Sequence, residues 1–178
     1  RHTGIGKGTI YKHFASKEDI YARLALDDAS KMLRELKLMV GHGSPEQQVR
    51  QLLSFCFEYH RRNSVADALH HYCKQLCILG RISESNQEGM RKMDQAFMTL
   101  FSRPISQGIE RGEMVDLPLD TLFAGMHATF EGALLILRNR EFLSHELDGR
   151  SMNEDEFIAH TVEYMIATLV GQAKRPSL

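Results

Sequence analysis

Apolar residues recur at helical spacing along nearly all of this chain, and alternating, strand-like patterns are nearly absent. That periodicity leaves one architecture, helices packed on helices. A long helix is expected from Ser16 to about Val40, with Ser16-x-x-Asp19 as a capping-box variant. Its inward stripe is Leu26, Ala29, Leu33, Leu36 and Val40. Gly41-His42-Gly43 ends it, and Ser44-Pro45 offers a cap and a first-turn proline to the next helix. There Val49, Leu52, Leu53, Cys56 and His60 share one side, with Phe55 and Tyr59 beside them. Residues 65–79 follow as a helix with Leu69, Tyr72, Cys73 and Leu76 as its stripe. Residues 86–111 make another, which Pro104 should kink. The last two helices span 118–140 and 155–171, separated by a polar, loop-like stretch at 141–154. With a short helix at 7–14, the expectation is seven helices and no sheet.

Composition narrows the setting. Hydrophobic residues are 43% and charged residues 25%, a globular balance that excludes disordered and collagen-like chains. The longest apolar runs, such as 132–137, fall far short of a bilayer span, and no signal-peptide pattern opens the chain. Three cysteines without framework spacing fit a reducing compartment, so a cytoplasmic protein with no membrane partner is expected. The net charge of −1 favours no partner, but residues 1–23 carry +3 and the remainder −4. A basic edge on an acidic body points to nucleic acid or an acidic ligand at that end. Nucleophile-elbow, zinc-protease, phosphate-loop and dinucleotide motifs are absent, so neither an enzyme nor a cofactor is expected. Glu131, four residues after His127, is an acid–base pair by spacing and equally a structural hydrogen bond.

The most specific signal is Gly4-Ile5-Gly6-Lys7-Gly8-Thr9-Ile10-Tyr11-Lys12-His13-Phe14, followed by Ser16-Lys17-Glu18. Ile10 and Phe14 lie one above the other at i,i+4, which turns Thr9, Tyr11, Lys12 and His13 outward or to the flanks. These are donors with no carboxylate among them. Lys17 stands at the start of a helix, where the macrodipole disfavours a cation unless an anion also binds. A short helix with exposed hydroxyls and cations describes a recognition helix on DNA. This string resembles the turn and recognition helix of the TetR family of bacterial regulators. The resemblance implies that Lys7, Gly8 and Thr9 meet DNA at the start of the recognition helix. It implies that Tyr11, His13 and Lys17 hold phosphates, and that Lys12 contacts a base or a phosphate. The family's first helix and most of its second have no counterpart after Arg1, so a longer polypeptide is expected to supply them. Residues 1–25 are then the C-terminal part of a helix-turn-helix domain, and 26–178 a ligand-binding and dimerisation domain.

The body carries three further expectations. Phe55, Tyr59, Tyr72, Met93, Phe97, Phe101, Phe123, Met126, His127 and Phe130 fall on faces suited to a pocket for a small apolar or amphipathic effector. Gly125, Ala128, Gly132 and Leu135 form a second stripe on the 118–140 helix, and the last helix is apolar nearly all round. A homodimer through this stripe and Ile158, Val162, Met165 and Leu169 is the economical explanation. His70, Cys73 and Cys77 share one face by spacing, which keeps open an alternative: a helical ligand-binding or metal- or redox-sensing protein that does not bind DNA. The main expectation is a DNA-binding regulator, a repressor released from double-stranded operator DNA by its effector.

Overall fold

The structure, a computed structural model, describes residues 12–139 and 152–171, and every regular element among them is helical. In chain order these are α1 (Lys17–Met39), α2 (Pro45–Arg62), α3 (Ser64–Cys73), α4 (Leu76–Leu79), α5 (Glu84–Glu110), α6 (Leu119–Asn139) and α7 (Glu154–Val170). Of the helix expected at 7–14 only 12–14 are described, and they form a turn, not a helix; of the loop expected at 141–154 only 152–154 are described.

Local chemistry accounts for the boundaries. Ser16 Oγ accepts the Asp19 N–H at 2.9 Å and starts α1. Gly41 and Gly43, at φ +109° and +89°, let the chain leave it through the left-handed region. Ser44 and Gln47 then form a reciprocal capping box, Gln47 N–H to Ser44 Oγ at 3.2 Å and Ser44 N–H to Gln47 Oε1 at 2.9 Å. Asn153 and Glu156 do the same for α7 at 2.9 and 3.0 Å.

One expected helix, 65–79, is in fact two. It breaks after Cys73, and Gln75 adopts an extended conformation (φ −67°, ψ 133°) before α4. An unbroken helix would carry Leu76 inward and Ile78 outward. The break reverses this: Leu76 is 89% exposed, while Ile78 and Ile82 are buried beside Cys73. Leu76 therefore does not belong to the core stripe. The helix expected from Asn86 begins at Glu84 and passes through the buried Pro104.

The chain divides into two compact units. The first comprises the described residues up to Arg34 together with Asn63–Phe97. Its core joins Ala22, Cys73, Ile78, Ile82 and Met90, with Tyr21, Leu26 and Tyr72 packed against them. Here α5 approaches α1 closely, since a Cβ on Gly89 would stand 3.0 Å from Leu26 Cδ1. The second unit comprises Glu35–Arg62 and the described residues from Met98 onward. Its core is larger, built on Val49, Leu53, Phe57, Ile105, Leu122, Met126, Met165 and Leu169 among others. Arg50, which bonds Glu46 and Glu163, and Arg61, which bonds Asp155 at 2.7 Å, tie α2 to α7 at the surface.

Candidate DNA interface and effector region

Of the seven residues expected at DNA, Lys7, Gly8, Thr9 and Tyr11 lie outside the described residues. Lys12 and His13 are exposed and precede a half-buried Phe14. Lys17, the first residue of α1, is also exposed, and its Nζ is 4.0 Å from Glu18 Oε1. Glu18 is buried and accepts from Arg81 Nη1 at 3.3 Å. Its own backbone N–H, and then Arg81, hold its carboxyl below the ordinary carboxylate range. With Glu18 and Asp19 in the first turn, the positive end of α1 already has its carboxylates. What leaves Lys17 available to an anion is therefore its exposure, not an unmet dipole. Arg81, an exposed cation beside Glu18, escaped the sequence reading because it is 63 residues away along the chain.

Asp19 organises this corner. Its Oδ2 accepts the Ala15 N–H at 3.3 Å. Its Oδ1 accepts the Ser83 N–H at 2.9 Å, the Ser83 hydroxyl at 2.7 Å and Asn86 Nδ2 at 2.7 Å. Burial alone would raise this carboxyl, but the bonds from Ser83, Asn86 and Ala15 outweigh it and lower its pKa. Ser16 Oγ in turn donates to the Arg81 carbonyl at 2.6 Å. Sequence reasoning found the Ser16–Asp19 cap and missed Ser83 and Asn86. The weak signal for them was a serine just ahead of a helix start.

The effector set divides between the two units. In the second, Phe55 and Tyr59 are half-buried neighbours on α2, with ring centroids 5.8 Å apart. Met126 is buried, Phe101, Phe123 and Phe130 pack against the core, and His127 is exposed. In the first, Tyr72 meets Tyr21 edge-on at 6.1 Å, and Met93 and Phe97 are half-buried on α5. The aromatic at the heart of the second unit is Phe57, fully buried and 4.5 Å from the Phe130 ring, which the sequence reading passed over. His60 approaches the same Phe130 ring at 5.6 Å.

The small-residue stripe of α6 is exposed at all four positions, Gly125, Ala128, Gly132 and Leu135. A Cβ on Gly125 or Gly132 would meet nothing within 4 Å. On α7, Val162, Met165 and Leu169 are buried in the chain's own core, and Ile158 packs against it. The outward residues of that helix include His160, Glu163 and Tyr164. Between α6 and α7 lies an open, mostly apolar groove of about 400 Å³, with Ala128, Gly132, Ile136, Phe157, His160 and Tyr164 among its lining residues. None of the ten effector residues lines it.

His70, Cys73 and Cys77 do not share one helix, because the break at Gln75 separates Cys77 from the other two. Cys73 is buried and Cys77 exposed. Among the described residues no three His, Cys, Asp or Glu side chains come together as a metal site. No helix among them is long and apolar enough to cross a membrane.

Fold and front corner together define a class: an all-helical chain whose N-terminal end carries exposed cations ahead of a capped connecting helix. Residues 1–24 match the sequence model described as bacterial regulatory proteins, tetR family. A curated relative, the HTH-type transcriptional regulator YfiR of Bacillus subtilis (strain 168), is 26% identical over 121 residues. That alignment covers 67% of this chain and spans only 58% of the relative's length. The TetR-family regulator PfmR of Thermus thermophilus has the same fold, with TM-score 0.66 and 15% identity over 93% of this chain and 82% of that one. A TetR/AcrR-family regulator of Thermobifida fusca gives TM-score 0.63 and 22% identity, over 97% and 82% of the two chains. The match to that family's sequence model covers residues 1–24, and the solved TetR-family regulators share this chain's fold.

Proposed function

We propose that the protein is a DNA-binding transcriptional regulator that acts in the cytoplasm as a homodimer, with no enzymatic activity. Lys7, Gly8, Thr9, Tyr11, Lys12, His13 and Lys17 contact double-stranded operator DNA. The observation that carries this reading is the family match over residues 1–24, joined to the exposure of Lys12, His13 and Lys17 ahead of and at the start of α1. It favours DNA binding over the metal-sensing alternative, whose three ligands do not share a helix.

A dimer suits the α6–α7 face. Its exposed glycines allow a second backbone to approach closely, and its apolar groove is costly to leave in water. Two copies related by a twofold axis present two recognition helices to half-sites one DNA turn, about 34–36 Å, apart. A small apolar or amphipathic effector acts on the second unit through Phe55, Tyr59, Phe101, Phe123, Met126 and Phe130, and releases a repressor from its operator. Selection of duplexes from a random-sequence library by the full-length protein tests the reading. Recovery of a twofold-symmetric site supports it, and recovery of none sinks it.

A further inference from the structure

An aspartate in the first turn of a helix needs no partner beyond its own local N–H groups. Asp19 has partners on both sides. Oδ2 holds the N–H of Ala15, the residue directly after Lys12–Phe14, while Oδ1 gathers three donors from Ser83 and Asn86 at the start of α5. Parallel bonds reinforce the same link. Asn86 Nδ2 also reaches the Asp19 carbonyl at 3.2 Å, and Ser16 Oγ spans from the Asp19 N–H to the Arg81 carbonyl. Packing continues it one turn on, where Gly89 admits Leu26 and Met90 joins Ala22 in the core. Asp19 itself is 4% exposed, so each bond lost leaves a buried polar atom under-satisfied.

We infer that Asp19 is a positioning residue for DNA binding: it fixes Ala15, and with it the cations Lys12, His13 and Lys17, relative to Ser83 and Asn86 at the start of α5. A shift at the start of α5 then reaches the DNA-facing segment chiefly through this carboxylate. The inference rests on the DNA-binding reading above.

The test uses the full-length protein and a duplex recovered from the random library by the wild type. Asp19→Asn keeps an oxygen for Ser83 and Asn86 and replaces the acceptor of Ala15 with a donor. Asn86→Ala weakens the other side by removing one of the three donors to Oδ1 and the bond to the Asp19 carbonyl, and Ser83→Ala, which retains the backbone bond, replaces it if Asn86→Ala does not fold. Each single change is expected to weaken duplex binding about tenfold. The double variant should weaken it by less than the two single losses combined, because both act on the same link. The salt slope stays at its wild-type value, since no phosphate contact is removed, whereas Lys17→Ala flattens it by about one unit. Losses that add, and that follow the fall in thermal stability, mark a merely structural aspartate and overturn the inference. Hydrogen exchange at the Ala15 amide needs no DNA: Asn86→Ala should accelerate it, and an unchanged rate overturns the link. Faster Ala15 exchange with unchanged duplex affinity overturns the positioning role alone. A wild type that recovers no duplex sinks the DNA reading, and this assignment with it.

Discussion

Replacing Phe57 and Phe55 in turn separates core from surface on α2. Phe57 is fully buried and its ring lies 4.5 Å from that of Phe130, tilted by 46°. Truncation to Ala removes a large apolar surface from a packed site and leaves a cavity, at a cost of about 3–5 kcal/mol. The lost aromatic pair accounts for about 0.5–1.5 kcal/mol beyond the burial of area. Phe55 is only half-buried and touches Tyr59, so the same truncation there should cost about 1 kcal/mol or less. With a urea dependence of about 2 kcal/mol/M, Phe57→Ala lowers the unfolding midpoint by about 1.5–2.5 M and Phe55→Ala by about 0.5 M at most. Both variants are unfolded at one fixed protein concentration, so that any dimer contributes alike to each. Equal midpoint shifts would refute the assignment of Phe57 to the core and of Phe55 to its margin.

Gly132→Leu should leave the fold of a single chain intact, because the position is exposed and a Cβ there meets nothing within 4 Å, yet block a partner at the α6 stripe. Light scattering should report monomer and far-UV circular dichroism an unchanged helicity, and an unaltered dimer places the interface elsewhere. Thiol labelling at pH 8 should proceed at exposed Cys77 and spare Cys56, whose thiol burial pushes up to about 12. Prompt reaction of Cys56 in the native protein contradicts the packing of α2.

The helical class and most helix ends were legible because their causes are local. Ser16, Gly41, Gly43 and Ser44 act within a few residues, and helical periodicity reads burial directly. On α6, Leu122, Met126 and Ala133, which recur at helical spacing, are buried, and Phe123, Phe130 and Leu137 pack against the same core. The break after Cys73 was not legible, since Leu69, Tyr72, Cys73 and Leu76 keep an unbroken helical spacing. The break puts Ile78 and Ile82, and not Leu76, into the first unit's core, and such tertiary packing leaves no local pattern. Phe57 on α2 was not legible for a similar reason: helical spacing gives a face, and the partner ring of Phe130 fixes its centre. At the corner around Asp19 the motif pointed to the exposed cations, but Arg81, Ser83 and Asn86 reach Glu18 and Asp19 from more than sixty residues away. No local pattern encodes such bonds.

The central claim, that the front of this protein reads DNA through exposed cations, is tested most directly by the salt dependence of duplex binding in the wild type and in Lys17→Ala. Each phosphate contact contributes about 0.9 to the slope of log K against log salt on double-stranded DNA. The account predicts that Lys17→Ala weakens binding across sequences and flattens that slope by about one unit. Wild-type affinity and slope retained in the variant would contradict it.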